Sequence, residues 1–224
     1  MTLVQKYRSF RFGSPGELLA SQMDKLVEHF HNPVQEEKSV LGGRIRTGVL
    51  ELEDTGPVVI KPYFRGGIMA RLNKRTYLGI GKARSRAEFE ILRFVRRHGI
   101  NAPEPVAYAV KGWLLYRAWL VTKQIPDAVS LSELSFTDPG KAEKVLPAVS
   151  EQIGKLIRLG IYHVDLHPGN VLVGPEDRAF LIDFDRAKSW SGNHERLKQR
   201  YVKRWKRAAD KHGLPGFIRE ALEK

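Results

Sequence analysis

The feature that most constrains the fold of this chain is a polar loop followed by a short apolar pattern. The loop reads HVDLHPGN over residues 163–170, and an apolar run ends in IDFD at residues 182–185. Phosphoryl transfer requires a carboxylate beside the acceptor hydroxyl and oxygen ligands for the Mg²⁺ that accompanies nucleotide phosphates. Asp165 supplies the first group, and Asn170 with Asp183 supplies the second. This spacing predicts a kinase-type site that uses ATP and Mg²⁺.

The residues between Asn170 and Asp183 are expected to form a hairpin. Two short apolar runs flank a Gly-Pro-Glu-Asp turn, and their pairing would bring both metal ligands to the same end. His163 is interpreted as a buried residue that fixes the loop. Zinc binding by His163 and His167 is an alternative, but the Pro-Gly that follows argues against a helical pair of histidine ligands.

A kinase-type site also needs a strand lysine for the nucleotide phosphates and a helical carboxylate that positions this lysine. Lys61 ends the run VVIK in a strand predicted over residues 57–63. A helix predicted over residues 85–97 offers Glu88 and Glu90. Glu88 shares its side of the helix with apolar residues, whereas Glu90 lies with arginines, so Glu88 is the expected partner of Lys61.

The phosphate-covering loop is the element with the weakest pattern. Residues 42–48 read GGRIRTG between two predicted strands at 40–45 and 48–52, and they do not spell Gly-x-Gly-x-x-Gly. Gly43 is the expected ATP contact there, although an ordinary hairpin turn fits equally well. The adenine is expected against the backbone near Lys123 and Ile125.

The change of pattern along the chain suggests two lobes with a cleft between them. Strands and one helix dominate up to residue 123, and helices dominate afterwards, including predicted helices at 141–159 and 195–211. An N-terminal helix is expected to start at a Ser14 cap and to run to Phe30. The expected domains are an N-terminal helical extension at 1–36, an N-lobe at 37–123 and a C-lobe at 124–224.

Charge is the remaining constraint, since 38 Lys and Arg residues stand against 25 acids and give a net charge of +13. Residues 65–86 hold seven cations and no acid, and residues 186–211 hold ten cations against two acids.

The absence of cysteine excludes disulfides and thiolate chemistry. No apolar run reaches the roughly 18 residues of a membrane span, which predicts a soluble or peripheral protein of the cytoplasm.

The helix predicted at 195–211 explains part of this charge. Leu197, Tyr201, Trp205 and Ala208 form one face, and cations cover much of the rest. We expect the apolar face to dock on the second lobe while the cations meet an anionic membrane surface. A nucleic-acid-binding module is an alternative explanation of the positive charge. It does not explain the spacing of the aspartates, so no nucleic acid partner is expected.

Several further segments resemble the lipopolysaccharide core kinase family. They are KPYFRGGIMARL at 61–72, APEPVA at 102–107, LLYRA at 114–118 and IDFDR at 182–186. The resemblance covers the chain from about Gly43 to the basic C-terminal helix. Because many kinase-like enzymes share the catalytic loop, the Arg-Gly-Gly and Asp-Phe-Asp-Arg segments are the more specific marks.

The resemblance implies an α+β, bilobal, protein-kinase-like fold with an antiparallel sheet and one helix in the N-lobe and a mainly helical C-lobe. It also implies ATP-dependent phosphorylation of a hydroxyl of 3-deoxy-D-manno-octulosonic acid (Kdo) in a lipid A-linked glycolipid, at the cytoplasmic side of the bacterial inner membrane. Lys61 and Glu88 would then hold the phosphates, Asp165 would act as base, and Asn170 with Asp183 would hold Mg²⁺.

One part of the polar loop also resembles kinases with other acceptors. Residues 167–169, His-Pro-Gly, are closer to the loop of aminoglycoside and other small-molecule phosphotransferases. A kinase of the same fold that acts on a core heptose, a small molecule or a protein hydroxyl therefore stays an alternative. The expected contacts to an anionic substrate are Arg65, Arg71, Arg75, Arg84 and Arg86.

Overall fold

The computed structural model describes residues 1–33, 36–40, 43–63, 77–78, 83–113 and 115–223, with the backbone alone at 36–40, 43–47, 77–78 and 115. The helices are α1 (Ala20–His31), α2 (Arg84–Arg97), α3 (Leu131–Thr137), α4 (Pro139–Arg158), α5 (His194–Lys211) and α6 (Gly216–Glu220). The strands are β1 (Leu3–Tyr7), β2 (Phe10–Ser14), β3 (Glu36–Val40), β4 (Gly43–Leu52), β5 (Gly56–Pro62), β6 (Tyr77–Leu78), β7 (Pro105–Lys111), β8 (Leu115–Lys123), β9 (Val129–Ser130), β10 (Ile161–Tyr162), β11 (Val171–Val173), β12 (Ala179–Leu181) and β13 (Lys188–Ser189).

The chain divides into two compact units. Unit 1 contains Met1–Ser39, Arg44–Arg93 and Glu104–Gln124, and unit 2 contains Val40–Gly43, Phe94–Pro103 and Ile125–Lys224. An antiparallel sheet in unit 1 and a mainly helical unit 2 confirm the expected α+β class. Among the helices that the structure describes, none is long and apolar enough to cross a membrane.

The sheet of unit 1 has the strand order β1-β2-β7-β8-β5-β4-β3, and β6 also pairs with β8. Side chains alternate between its faces because successive residues of a strand point in opposite directions. Ile60 and Ala109 face a buried apolar cluster that includes residues of α1. Their strand neighbours Lys61 and Tyr108 instead contact residues of α2. The two helices therefore cover opposite faces of the sheet.

The expected N-terminal helical extension is wrong, because residues 1–36 also contribute two strands to the main sheet. β1 pairs with β2, and β2 pairs with β7 from Phe10↔Lys111 to Gly13↔Tyr108. The helix begins at Ala20 and not near Ser14, which ends β2. Side-chain oxygens of Gln5 and Gln22 accept the amide hydrogens of Leu18 and Leu19, so glutamines bind the amides at the start of this helix.

Aromatic packing holds α1 on the sheet. Phe30 of α1 stacks on Trp119 of β8 with ring centroids 4.5 Å apart, and Phe10 of β2 lies 5.7 Å from the same Trp119 ring. All three side chains are buried. Such pairs contribute about 0.5–1.5 kcal/mol beyond the area they bury. The α1 helix is thus an integral part of the core of unit 1.

Unit 2 follows from clear helix signals in the sequence. Ser130, Asp138 and Asn193 each accept a hydrogen bond at the N-terminus of the helix that they precede, namely α3, α4 and α5. Short strands complete the unit in two antiparallel groups, one ordered β12-β11-β9 and one formed by β10 and β13. The apolar face predicted for α5 is confirmed, since Leu197, Tyr201, Trp205 and Ala208 are buried.

Candidate active site

Lys61 lies in β5 and pairs with a buried carboxylate of α2. Its Nζ donates to Glu88 Oε1 at 3.0 Å and to Oε2 at 2.8 Å. Glu88 is 2% exposed, and Tyr63 also donates its hydroxyl hydrogen to the same carboxylate. Glu90 points elsewhere and pairs with Arg86 at 2.8 Å. The structure therefore brings together Lys61 and Glu88, as the helical pattern predicts.

The α2 sequence explains why this pairing occurs. Phe89 and Leu92 are buried beside Glu88, and the Phe89 ring lies 5.3 Å from that of Tyr108 on the sheet. This apolar stripe turns the Glu88 carboxylate toward β5. A buried carboxylate is costly unless it is paired and hydrogen-bonded, and here a cation and a phenol supply both conditions.

The basic residues expected to contact an anionic substrate separate into three groups. Arg65, Arg71 and Arg75 lie outside the described residues. The Arg84 guanidinium lies 5.5 Å from the centroid of the Tyr63 ring, next to the Lys61–Glu88 pair. Arg86 is engaged by Glu90 on the exposed side of α2. Of these two arginines, only Arg84 lies near Lys61.

The phosphate-covering loop expected at residues 42–48 is not a loop where the structure describes it. β4 runs without interruption from Gly43 to Leu52, so the predicted break between strands 40–45 and 48–52 is wrong. The physical reason is that β4 lies between β5 and β3 in the sheet, and its ladder with β5 starts at Gly48, which pairs with Ile60. Residue 42 lies outside the described residues, and an ATP contact at Gly43 stays a prediction.

Two backbone amides at the expected adenine segment are already engaged in unit 1. The Lys123 amide donates to Glu104 O at 2.8 Å, and the Gln124 amide donates to Pro57 O at 2.9 Å. The Lys123 side chain also pairs with Glu104, 3.2 Å away. Within the described residues, the Ile125 amide makes no such bond. An adenine contact at Lys123 or Ile125 stays a prediction.

In unit 2, His163 fixes the start of the polar loop. Its backbone amide donates to the Tyr201 hydroxyl at 2.8 Å, and its Nε2 donates to Ile182 O at 2.9 Å. The imidazole is 1% exposed and packs edge-on against Phe184, 4.6 Å between ring centroids. The Tyr201 hydroxyl in turn donates to Ile161 O at 2.6 Å. The loop is thereby tied to both α5 and the end of the hairpin.

His167 caps the short turn that follows Asp165. Its Nδ1 accepts the amide hydrogen of Gly169 at 3.1 Å. Burial, with a smaller contribution from the nearby Arg204, lowers the pKa of His167 to about 4, so this imidazole is neutral at pH 7. His163 and His167 therefore both serve the loop through ring nitrogens that face protein groups, and the zinc alternative loses support.

Asn170 and Asp183 lie at the same end of the hairpin formed by β11 and β12, as predicted. Val171 pairs with Leu181, and the Ile182 amide donates to Asn170 O at 3.0 Å. Asp183 follows in a left-handed conformation, with φ 62° and ψ 60°. This conformation is unusual for a residue other than glycine, and it is typical of constrained functional positions.

The Asn170 amide group has a fixed orientation that suits a cation. Its Nδ2 donates to Asp165 O at 2.9 Å, so its Oδ1 is the atom that remains for a ligand. Mg²⁺ in kinases is held by one or two protein oxygens and by substrate phosphates. Within the described ranges no three His, Asp or Glu side chains form a metal cluster. The donor set of Asn170 and Asp183 fits a Mg²⁺ that shares its coordination with ATP.

The Asp165 carboxylate faces two guanidinium groups. Arg204 of α5 donates from Nη2 to Oδ1 at 3.1 Å, and Arg186 Nη1 lies 3.8 Å from Oδ2. The carboxylate is 34% exposed, so it can meet a substrate hydroxyl. Neither arginine was predicted to approach this carboxylate, because Arg204 lies 39 residues away in sequence and no local pattern connects the two.

Two further residues were also missed as parts of the site. Tyr63, which binds Glu88, follows Lys61 by two positions. In an extended chain this spacing places both side chains on the same face of the sheet, so it could have indicated a shared contact with Glu88. Tyr201 was predicted to be buried, but its hydroxyl bonds to the polar loop had no signal in the sequence. Contacts between distant segments are the part that spacing alone does not reveal.

The sequence is similar to known lipopolysaccharide kinases. The model of the lipopolysaccharide kinase (Kdo/WaaP) family matches residues 34–220. A protein of Vibrio cholerae, named 3-deoxy-D-manno-octulosonic acid kinase, is 32% identical over 75% of this chain and 76% of its own length. Proteins with the same name from two strains of Haemophilus influenzae are 35% and 34% identical, over 75% and 82% of this chain and 78% and 84% of their own lengths.

Proposed function

The chain belongs to the lipopolysaccharide kinase (Kdo/WaaP) family, and from this premise we propose that it is a Kdo kinase. It transfers the γ-phosphoryl group of ATP to a hydroxyl of Kdo in the lipid A-linked inner core of lipopolysaccharide. The observation that carries the proposal is the Asp165 loop, with Asn170 and Asp183 at one end of a hairpin. The names and coverage of the relatives support Kdo as the acceptor sugar.

On the nucleotide side, Lys61 is the residue that binds the phosphates of ATP. Glu88 holds its ammonium group through two hydrogen bonds, and Tyr63 supports the Glu88 carboxylate. Catalysis of phosphoryl transfer depends on positioning and on charge stabilisation, and a cation held by a buried carboxylate supplies both. Arg84 adds positive charge beside this pair.

On the acceptor side, Asp165 orients the hydroxyl of the sugar and accepts its proton. The loop keeps this carboxylate in place through His163 and through the bond from Asn170 Nδ2 to Asp165 O. Asn170 and Asp183 would hold Mg²⁺, which neutralises charge on the phosphates when it is bound. The attacking oxygen then displaces ADP from the γ-phosphorus, and the proton of the hydroxyl moves to Asp165.

The location we propose is the cytoplasmic side of the inner membrane, with α5 against anionic lipid. A groove beside α5 and α6 is lined by five cations: Lys198, Lys203, Lys206, Arg207 and Arg219. Lys206 and Arg219 are paired with Glu223 and Asp210. The other three have no acidic partner in the part of the chain that the structure describes. Each such cation near an anionic surface contributes about 1 kcal/mol.

The activity test uses the purified protein with ATP, Mg²⁺ and lipid A that carries one or two Kdo residues. We expect a phosphorylated glycolipid in the mass spectrum, and a kcat lowered about 100-fold or more by Asp165→Asn and by Asp183→Asn. Asp177→Asn is the matched control, since this acid of the same hairpin pairs only with Lys141 and Lys144 among the described residues. Unchanged turnover in both aspartate variants of the site would contradict the proposal.

The same assay separates the alternative acceptors. Core heptose glycolipids, amino sugar antibiotics and a protein substrate are offered in parallel, and the phosphorylated products are identified by mass spectrometry. Phosphate on one of these acceptors with none on Kdo would replace Kdo as the substrate and keep the kinase reaction.

A further inference from the structure

The two arginines at Asp165 differ in how firmly they are held. Arg204 makes a direct hydrogen bond to Oδ1, whereas Arg186 is separated from Oδ2 by 3.8 Å, which is too far for a hydrogen bond. The catalytic carboxylate therefore has one oxygen that is firmly bound and one that is loosely covered. Proton transfer to Asp165 does not by itself require this asymmetry.

Arg204 is held by the packing of α5. Its neighbours Tyr201 and Trp205 are buried, and the Tyr201 hydroxyl is bonded to the loop that carries Asp165. The Arg204 Nε is itself buried and has no hydrogen-bond partner in the described structure. The Arg204 side chain is 33% exposed, about half the exposure of Arg186, and it keeps a direct hydrogen bond to Oδ1, so it is the more firmly held of the two arginines.

Arg186 is free to change partners. Its side chain is 68% exposed, and within the described residues its ion pair with Asp165 is its sole polar contact. An exposed ion pair without a hydrogen bond contributes little to stability, so another anion can replace it easily. Arg186 also ends the Asp-Phe-Asp-Arg segment that begins with Asp183, which fixes its backbone next to the metal-binding end of the hairpin.

The two arginines influence which oxygen of Asp165 the acceptor hydroxyl approaches. Because Oδ1 already accepts a hydrogen bond from Arg204, Oδ2 has the larger free acceptor capacity, and a hydroxyl that approaches Oδ2 meets Arg186 there. The proposed acceptor is a sugar acid, and its pyranose ring carries a carboxylate together with two of its hydroxyls. Arginine is well suited to such a group, because its planar fork donates two parallel hydrogen bonds to a carboxylate.

We propose that Arg186 is a specificity-determining residue that exchanges Asp165 Oδ2 for the carboxylate of the acceptor sugar. The inference rests on the proposed function, since it takes a sugar acid as the acceptor. Arrival of the hydroxyl releases Arg186 from Oδ2, and the released guanidinium binds the acceptor carboxylate. Neutral sugars release the arginine without giving it a new partner, and they are poorer substrates for that reason.

The test compares a Kdo glycoside with its carboxyl-reduced analogue, in which a neutral CH₂OH replaces the carboxylate. We expect Arg186→Gln to lower kcat/KM for the acid about 10- to 100-fold, mainly through KM, since a charged hydrogen bond is lost. For the reduced analogue, we expect no comparable loss of kcat/KM in Arg186→Gln. Arg186→Lys is expected to restore part of the preference, because lysine keeps the charge without the fork.

Arg196→Gln is the matched control, since it removes an exposed guanidinium of α5 that has no polar contact in the described part of the chain. It should leave both acceptors unaffected. An equal loss on both acceptors in Arg186→Gln would overturn the inference, and so would a wild-type protein that uses both equally well. In either case phosphorylation of Kdo would still stand. A wild-type protein that phosphorylates neither acceptor would instead refute the proposed function, and this inference with it.

Discussion

Removal of one oxygen atom, in Tyr201→Phe, is the sharpest test of how the polar loop is held. The Tyr201 hydroxyl is buried, accepts the His163 amide hydrogen at 2.8 Å and donates to Ile161 O at 2.6 Å. Phenylalanine keeps the ring and its packing, but it leaves a buried N–H and a buried carbonyl without this partner. The substitution therefore isolates two hydrogen bonds.

The expected magnitude follows from burial. A buried polar group without a partner costs about 1–3 kcal/mol. The amide of His163 bears most of this cost, because His163 is only 1% exposed. The carbonyl of Ile161 bears less of the cost, because β10 also pairs with β13. We expect the free energy of unfolding to fall by about 2–3 kcal/mol. Since burial raises the pKa of Tyr201, the hydroxyl stays protonated and the loss is the same from pH 6 to pH 9.

The assay is equilibrium urea unfolding followed by circular dichroism, together with kcat on the Kdo acceptor. Tyr162→Phe is the matched control, since its hydroxyl has no hydrogen bond in the described structure and should cost less than about 0.5 kcal/mol. We also expect a lower kcat in Tyr201→Phe, because the displaced His163 amide begins the loop that carries Asp165. A stability equal to that of the control would refute the reasoning.

Three further predictions test other parts of the molecule. Glu88→Gln should raise KM for ATP and lower kcat, since it removes the charge that holds Lys61. His167→Asn should flatten the pH dependence of the unfolding free energy: the unfolded state binds more protons between pH 4 and 6.5, so His167 destabilises the folded state as pH falls through that window. Gly13→Ala should cost about 1–3 kcal/mol in a urea melt, because the added Cβ overlaps the buried Tyr108 ring.

Each of these predictions has a matched control and a result that would contradict it. Glu90→Gln removes a carboxylate of α2 that does not bind Lys61, so equal effects on ATP would refute the role of Glu88. His194→Asn removes an exposed imidazole, and an equal flattening there would assign the pH dependence to another group. Gly16→Ala places its Cβ in open space, so an equal loss of stability would contradict the steric argument for Gly13.

The sequence predicted the β11–β12 hairpin and the lysine–glutamate pair because both depend on regular local geometry. The register of a two-stranded hairpin places Asn170 and Asp183 at one end, and helical periodicity separates Glu88 from Glu90. These arguments need only the spacing of residues within one or two elements. The roles of the residues in binding and catalysis stay predictions until the variants are measured.

The N-terminal strands and the arginines at Asp165 were not predictable in the same way. β1 and β2 are five-residue strands, and β2 pairs with β7 about one hundred positions later. Such pairing leaves no local signal, and a Ser-Pro-Gly-Glu segment resembled a helix start more strongly. Arg204 is one of several cations on a polar helix face, and only the packing of α5 selects it for Asp165.

The N-terminal hairpin and α1 have a consequence for where the protein can be cut. The family model matches from residue 34 onward, yet seven of the fourteen described residues in the buried cluster of unit 1 precede this position: Phe10, Phe12, Leu18, Met23, Leu26, Val27 and Phe30. A fragment trimmed to the shared region would expose Ile60, Ala109 and Trp119 to water and would tend to aggregate. The region that the family model matches and the region that the buried cluster needs therefore differ in this chain by two strands and a helix.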